Sequence, residues 1–261
     1  MDDRHEVDMG TMVVHLSCPN CGQPSNVEVG LGVTVGQQQA ERQPDPSRSL
    51  VVYQSTNRAG RKDATGAFKP EALAFQKLHD IAPGRMLPVP HGLTAANKAR
   101  RVLDYLEGVN AGALDAFIYF GHGTATSFPS MGFGRGSSFY GDRRAYELAA
   151  QLGRVGSDRL VVALYACTTG KGFGVADWLG DMLRETWSKP GARVFAHRGK
   201  GHTTKYPFAE YSGEGTSDEG IAVIERTDPL WKAWVARLQD DQAFRLGLPF
   251  MTQDEIREAL A

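Results

Sequence analysis

The chain has 261 residues, of which 41% are hydrophobic and 23% are charged, and its formal net charge at pH 7 is -1. This length and composition exclude wholesale disorder and suit one sizeable core, with at most a small appendage. The nearly neutral charge removes any bulk attraction to nucleic acid or to an anionic membrane, so we expect neither as a partner.

The first residues, MDDRHEVDMG, have neither the basic start nor the apolar run of a secretory signal peptide. Apolar runs such as RLVVALYAC are too short to span a bilayer. We therefore expect a soluble, cytoplasmic protein. Its three cysteines are an odd number and predict no disulfide framework, so in a reducing compartment Cys167 is a free thiol.

Residues 1–42 are predicted to form a small β-hairpin appendage. Two segments of alternating hydrophobicity, TMVVHLS and SNVEVGLGVTV, flank the turn sequence CPNCGQP. Residues 43–48 are then predicted as a linker, because prolines and polar side chains disfavour both a helix and a central strand. The main domain is expected to span residues 49–261.

The turn of this hairpin contains a CxxC motif, Cys18 and Cys21. A zinc ribbon needs a second such pair, which the chain lacks, and completion by His5 and His15 matches no standard spacing. A plain turn is the preferred interpretation, with metal binding and redox chemistry as the alternatives. We therefore expect no metal.

From residue 49 onward, apolar strands alternate with amphipathic helices, which is typical of a mostly parallel sheet with helices on both faces. Pro70 is expected at the start of the first helix and Thr94 as the N-cap of the second. Towards the C-terminus a strand, IAVIER, and a helix, DPLWKAWVARLQ, are expected to cap the sheet edge. Trp231 and Trp234 lie at helical spacing, which indicates core positions. The predicted strands are SLVVYQS, LDAFIYF, RLVVALYA and ARVFAH, and the predicted helices are KPEALAFQKLHD, TAANKARRVLDYLEGVN, DRRAYELAAQLGRV and FGVADWLGDMLRETWSK.

His122 and Cys167 follow two consecutive predicted strands, just past the point where each strand ends. Because the carboxyl ends of parallel strands meet at one edge of a sheet, we expect the imidazole and the thiol to be neighbours in a crevice there. A predicted helix follows Cys167 after the sequence TTGKG, and its N-terminus is expected to favour the thiolate.

This pair predicts nucleophilic catalysis, with Cys167 as the nucleophile and His122 as the group that moves the proton. Gly121 and Gly123 allow the backbone to approach a substrate, and the amides of Gly123 and Cys167 are candidate oxyanion donors. The alternative is a turn histidine and a small buried cysteine without chemistry. Their joint occurrence at matching strand ends favours the catalytic interpretation.

The segments FIYFGHG and LVVALYACTTG resemble the paired signature of the caspase-like (clan CD) cysteine peptidases, which include caspases, metacaspases, gingipains, legumains, separases and CHAT domains. ACTTG is most similar to the CHAT form. The resemblance covers about residues 49–200, through two short motifs. It implies a caspase-like three-layer sandwich, His122 as catalytic base, Cys167 as nucleophile, and the amides of Gly123 and Cys167 as the oxyanion hole.

The chain also departs from this family. It lacks the tetratricopeptide array that often accompanies CHAT domains, and Tyr165 stands where caspases have Gln and metacaspases have Asp. The family's pocket loops correspond to stretches that contain Arg58, Tyr165 and Arg198. If the guanidiniums of Arg58 and Arg198 converge, the pocket would select an acidic residue before the cleaved bond. The alternative is that Tyr165 makes an apolar pocket.

Arg58 also belongs to a basic cluster with Arg61 and Lys62, for which a solvated loop is the alternative interpretation. His197 and His202 lie in stretches where a substrate pocket is expected, whereas His91 does not.

Together these features predict a cysteine endopeptidase that cleaves protein or peptide substrates without a cofactor. The resemblance further implies regulation, by a protein partner or by self-cleavage. By its resemblance, a bacterial stress, cell-death or antiviral role belongs to the same hypothesis. The alternatives are a catalytically silent binding scaffold and a cysteine amidase that acts on a small molecule or a cell-wall peptide.

Overall fold

The computed structural model divides the chain into two compact units, Met1–Arg42 and Gln43–Ala261. In the first unit, β1 (Thr11–Ser17) pairs antiparallel with β2 (Pro24–Gly30), as the sequence predicts. The CxxC turn between these strands lies outside the described residues. The structure describes residues 11–17, 24–30, 43–56, 65–134, 142–171, 174–197, 216–218, 221–222, 224–225 and 227–261.

The second unit is built on a central sheet. Its strands in chain order are β3 (Ser49–Gln54), β4 (Met86–Val89), β5 (Leu114–Phe120), β6 (Gly156–Tyr165), β7 (Arg193–His197), β8 (Thr216–Asp218) and β9 (Ile221–Ala222). Their spatial order is β4, β3, β5, β6, β7, β8, β9. The first five are parallel to one another, and β8 and β9 continue the sheet in antiparallel pairing.

Helices cover both faces of this sheet. In chain order they are α1 (Thr65–Leu78), α2 (Ala95–Glu107), α3 (Arg143–Val155), α4 (Val175–Asp181), α5 (Trp231–Asp240), α6 (Gln242–Gly247) and α7 (Gln253–Leu260). The predicted α/β three-layer sandwich with a mostly parallel central sheet is therefore confirmed. No helix among the described residues is long and apolar enough to cross a membrane.

Successive side chains of β5 lie on opposite faces of the central sheet, and helices cover both faces. Phe117 and Tyr119 pack into an apolar layer with residues of α2, α3 and α4, whereas Ile118 and Phe120 pack into a second layer with residues of α1. Every residue of β5 is buried. A strand buried on both faces reads as a continuous hydrophobic run, which LDAFIYF nearly is.

Side chains fix where two of these helices begin. Thr94 caps α2, as expected, because its hydroxyl accepts a hydrogen bond from the Asn97 amide at 3.2 Å. Asp142 caps α3 and accepts from the amides of Arg144 at 3.1 Å and Gly134 at 3.0 Å. Because α3 connects β5 to β6, its start also fixes the crossover between the two strands that precede His122 and Cys167.

Some predicted boundaries are wrong. Helix α1 begins at Thr65, so Pro70 lies inside the helix rather than at its start. Among the described residues of IAVIER, Ile221–Ala222 forms a strand, and Ile224 and Glu225 do not. The long helix predicted after Cys167 is α4, which gives way to the π-helical turn Met182–Thr186.

The predicted linker is partly fixed to the second unit. Pro46–Arg48 forms a single 3-10 turn capped by Asp45. The carboxylate of Asp115, in β5, accepts hydrogen bonds from the Asp45 amide at 3.1 Å and from the Arg48 guanidinium at 3.3 Å. Residues 45–48 therefore belong structurally to the start of the sheet.

Of the three C-terminal helices, α6 packs on a face of the sheet. Trp234 is 1% exposed within an apolar cluster built from α5, α6 and α7, so the predicted core role of Trp234 is confirmed. A buried ion pair between Arg245 and Glu71, 3.2 Å apart, joins α6 to α1. The expected cap on the edge is thus supplied by β8 and β9, whereas α6 packs on the same face as α1.

Candidate active site

His122 and Cys167 lie at one edge of the sheet, at the same level. Phe120 of β5 pairs with Tyr165 of β6, and each site residue lies two positions beyond its member of this pair. The amide of Gly121 continues the pairing by donating to the Tyr165 carbonyl at 3.4 Å. The two strand ends therefore present their loops side by side.

Gly123 shows how closely these two loops pack. A Cβ atom added to Gly123 would lie 2.6 Å from Thr169 Cγ2, 2.8 Å from Ala166 Cβ and 3.1 Å from the Cys167 carbonyl oxygen. Real Cβ atoms essentially never approach other atoms more closely than 3.0 Å, so any other residue here would have to displace Thr169 or Ala166. The loop that contains His122 is thus in direct contact with the loop that contains Cys167.

The other glycine beside His122 is required for a similar reason. A Cβ atom on Gly121 would lie 2.6 Å from Tyr119 Cζ and 2.8 Å from Ser130 Cβ. A histidine between two glycines follows from crowding on both sides of a strand end, because a side chain at either position would push the loop away from its neighbours.

The imidazole of His122 is half-buried and contacts an aromatic ring of α1. The rings of His122 and Phe68 meet edge to face, with centroids 5.0 Å apart. The backbone of His122 is held at both polar groups: its amide donates to Ser130 Oγ at 2.9 Å, and its carbonyl accepts from the Tyr119 hydroxyl at 2.7 Å. The position of this residue is therefore determined by packing and by hydrogen bonds.

Cys167 is half-buried, forms no disulfide with another described cysteine, and lies at the start of a tight turn. The next residue, Thr168, has a φ of 55°, a left-handed conformation that is costly for a β-branched residue. The turn is held by two hydrogen bonds, from the Thr169 hydroxyl to the Ala166 carbonyl at 3.1 Å and from the Gly170 amide to the His197 carbonyl at 2.9 Å. The thiol is therefore presented by a constrained turn.

The helix after Cys167 does not direct its first amides to the thiol. Helix α4 has Gly174 as its N-cap, and the Gly174 amide donates to Asp177 Oδ2 at 3.1 Å. The amide of Val175 donates to the Ala125 carbonyl at 2.9 Å. The expectation that this helix start stabilises the thiolate therefore finds no support in these hydrogen bonds.

One oxyanion donor has the required freedom. Within the described part of the chain, no residue accepts a hydrogen bond from the Gly123 amide. This amide belongs to the loop that contacts Cys167 directly. The Gly123 amide therefore remains a candidate oxyanion donor.

Tyr165, the predicted pocket residue, is half-buried against α6. Its ring stacks on Phe120 with centroids 4.6 Å apart, and its hydroxyl donates to the carbonyls of Arg245 at 3.2 Å and Leu246 at 3.3 Å. The hydroxyl is thus already engaged with the protein. The other two predicted pocket residues, Arg58 and Arg198, lie outside the described residues, as do Arg61, Lys62 and His202.

The structure also shows the contacts of two further histidines, His197 and His91. His197 ends β7 and is 5% exposed, with its ring 6.2 Å from that of Tyr165. The His91 amide donates to Thr56 Oγ1 at 2.9 Å, in the loop that follows β3. No group of three or more metal-ligating side chains occurs in the described ranges.

Sequence reasoning missed Gln54 and Ser130 as members of this site. Both are 1% exposed, and the Ser130 hydroxyl donates to Gln54 Oε1 at 2.5 Å. A buried polar residue at the end of the strand SLVVYQ was a usable signal for Gln54. Ser130 lies in an irregular loop, and nothing in its sequence surroundings distinguishes it.

The chain matches no family model, no curated protein and no solved structure. The geometry of the strand ends therefore carries the functional argument. A thiol and an imidazole on touching loops, with an available amide beside them, have the parts needed for acyl transfer.

Proposed function

We propose that this protein is a cysteine endopeptidase of the caspase-like kind, with His122 and Cys167 as a catalytic dyad. The observation that carries the proposal is the direct packing of Gly123 against Ala166, Cys167 and Thr169, which places the two loops together at one sheet edge. The resemblance of the two motifs to clan CD peptidases supports the same assignment and points to protein or peptide substrates.

In the proposed reaction, the Cys167 thiolate attacks the carbonyl carbon of the scissile peptide bond. The Gly123 amide, together with that of Cys167, stabilises the oxyanion of the tetrahedral intermediate. Protonated His122 gives its proton to the leaving amine, which leaves an acyl-enzyme. His122 then takes a proton from water, and the resulting attack releases the carboxylic acid and restores the thiol.

This chemistry needs no cofactor, because the nucleophile, the base and the oxyanion donors all come from the chain. The proposal includes cytoplasmic action and regulation, by a protein partner or by self-cleavage. A part in bacterial stress, cell death or antiviral defence rests on the family resemblance alone.

The test is peptide-library cleavage by wild type, Cys167→Ala, His122→Ala and the double variant. Cys167→Ala removes nearly all turnover, and His122→Ala slows it by about 10²- to 10⁴-fold, the usual range for an acid-base group. The double variant is no slower than Cys167→Ala, because both residues serve the same steps. His91→Ala is the matched control, since its imidazole is on a different loop.

Robust turnover by Cys167→Ala would contradict the proposed mechanism. Wild type that cleaves no peptide, and whose Cys167 is not labelled by a thiol-reactive probe in any state, would indicate a binding scaffold. Labelled Cys167 without any peptide product would indicate an amidase with a smaller substrate.

A further inference from the structure

We propose that Tyr119, Ser130 and Gln54 are positioning residues that hold the backbone of His122 so that its imidazole stays aligned with Cys167. The inference rests on the proposed function, because it assigns a role to the groups behind the dyad. Three neighbouring strands take part: Gln54 ends β3, Tyr119 belongs to β5, and Cys167 follows β6.

The amide side of His122 is held by a chain of hydrogen bonds. His122 N–H donates to Ser130 Oγ at 2.9 Å, and the Ser130 hydroxyl donates to Gln54 Oε1 at 2.5 Å. The Gln54 side-chain amide donates in turn to the Thr56 carbonyl at 3.2 Å. Each donor in this series of hydrogen bonds thus has one acceptor. Any other arrangement of these side chains would leave a buried polar group unpaired.

The carbonyl side of His122 is held by Tyr119. Its hydroxyl donates to His122 O at 2.7 Å, and its ring packs edge to face on Phe128 with centroids 5.5 Å apart. Tyr119 is 0% exposed, and burial raises its pKa well above the usual value of 10.0. The hydroxyl therefore remains a protonated donor across any working pH.

Both polar groups of one peptide residue are thus bound by buried side chains from separate parts of the fold. Turning the His122 backbone would leave buried donors and acceptors unpaired, so the residue has a single orientation. Tyr119 and Ser130 also crowd Gly121, which fixes the preceding residue. Small displacements of a reacting group cost large factors in rate, so this clamp acts on the dyad and not only on stability.

The experiment follows iodoacetamide alkylation of Cys167 at pH 6.5, measured by mass spectrometry of its peptide, for wild type, Tyr119→Phe and Ser130→Ala. Tyr119→Phe removes one hydroxyl and slows alkylation by about 2- to 10-fold, the worth of one net hydrogen bond. Ser130→Ala has a larger effect, because it leaves both the His122 amide and Gln54 Oε1 unpaired. Tyr105→Phe is the matched control, since that hydroxyl donates to the Gly84 carbonyl at 2.8 Å, next to α2.

A second measurement separates positioning from general stability. In a His122→Ala background, Tyr119→Phe has no further effect on the alkylation rate, because the group that it positions is gone. Melting temperatures are recorded for every variant. An equal slowing in both backgrounds would show that Tyr119 acts through the fold, and it would overturn the inference.

The two proposals fail in different ways. If His122→Ala alkylates as fast as wild type, the dyad itself is absent. If His122→Ala is slow but Tyr119→Phe and Ser130→Ala react like wild type, the dyad stands and the positioning role is overturned.

Discussion

At the scale of single residues, space rather than backbone conformation accounts for the glycines beside His122. Neither Gly121 nor Gly123 is among the described glycines with positive φ, which are Gly112, Gly132 and Gly134. A side chain does not fit at either position, because heavy atoms lie within 3 Å of where a Cβ would be. The two glycines therefore let the loop after β5 pack closely on itself and on the loop after β6.

Gly123→Ala is predicted to damage both stability and chemistry. The added methyl would overlap Thr169 and Ala166, so the two loops must separate, at a cost of about 1–3 kcal/mol for an overpacked site. Separation also moves His122 away from Cys167, and the alkylation rate of Cys167 falls towards that of His122→Ala. Urea unfolding and iodoacetamide labelling measure the two effects.

Gly92→Ala provides the control, because nothing lies within 4 Å of a Cβ at Gly92. It should match wild type in both assays. A Gly123→Ala protein that is as stable and as reactive as wild type would contradict the close contact between the loops.

Residue-level prediction from sequence succeeded where topology decides proximity. The carboxyl ends of parallel strands lie at one edge of a sheet, and β5 and β6 are also neighbours in it, so the closeness of the loops that contain His122 and Cys167 could be predicted from the strand ends. Gln54 and Ser130 meet through a loop that has no regular pattern. Sequence periodicity carries no information about such a contact, which is why the network behind His122 was missed.

At the scale of elements, α3 connects the strands that precede the two site residues, and Asp142 holds its start. Burial opposes ionisation of Asp142, but hydrogen bonds from Arg144 and Gly134 outweigh it and hold the pKa of Asp142 below 3.8. Both carboxylate oxygens are engaged, since the Arg144 guanidinium donates to each, at 3.0 and 2.8 Å.

Asp142→Asn is predicted to cost stability in a pH-dependent way. A carboxyl whose pKa is lowered by folding stabilises the native state above its unfolded pKa and loses that contribution as the pH falls. The difference in free energy of unfolding between wild type and Asp142→Asn is therefore largest near neutral pH and closes below about pH 3.8. Asp142→Ala loses the cap as well, about 1 kcal/mol more.

Urea unfolding from pH 7 to pH 3 measures these differences. A gap between wild type and Asp142→Asn that is constant over this range would contradict the assignment of a charged cap. Arg143→Ala serves as the control, because its guanidinium is exposed and pairs only with Glu147 among the described residues.

Prediction of strands from the sequence failed at an edge of the central sheet and succeeded at its centre. The continuous apolar runs of β3, β5 and β6 follow from burial on both faces. Strand β4 is short, lies at the sheet edge and contains Pro88, whose carbonyl accepts from Arg101 Nε at 2.8 Å. A proline in a four-residue segment argues against a strand unless its edge position is known.

At the scale of the whole molecule, the boundary of the second unit depends on one buried carboxylate. Asp115 is 4% exposed and is bound by the Asp45 amide and the Arg48 guanidinium. Arg48 also donates to the Gly112 carbonyl at 2.7 Å, at the turn before β5. Residues that the sequence predicts as a linker thus neutralise a charge at the base of the central sheet.

Two truncations test where the folding unit begins. Removal of residues 1–42 is predicted to leave melting temperature and Cys167 alkylation unchanged, because the central sheet, β3 to β9, lies in Gln43–Ala261. Removal of residues 1–48 also deletes both partners of Asp115 and leaves its carboxylate buried and unpaired, at a cost of about 3–5 kcal/mol. Asp115→Asn in the shorter protein restores part of this loss, because it removes the buried charge. Thermal unfolding of the three proteins measures these effects, and a chain of residues 43–261 that does not fold would show that the hairpin is part of the folding unit.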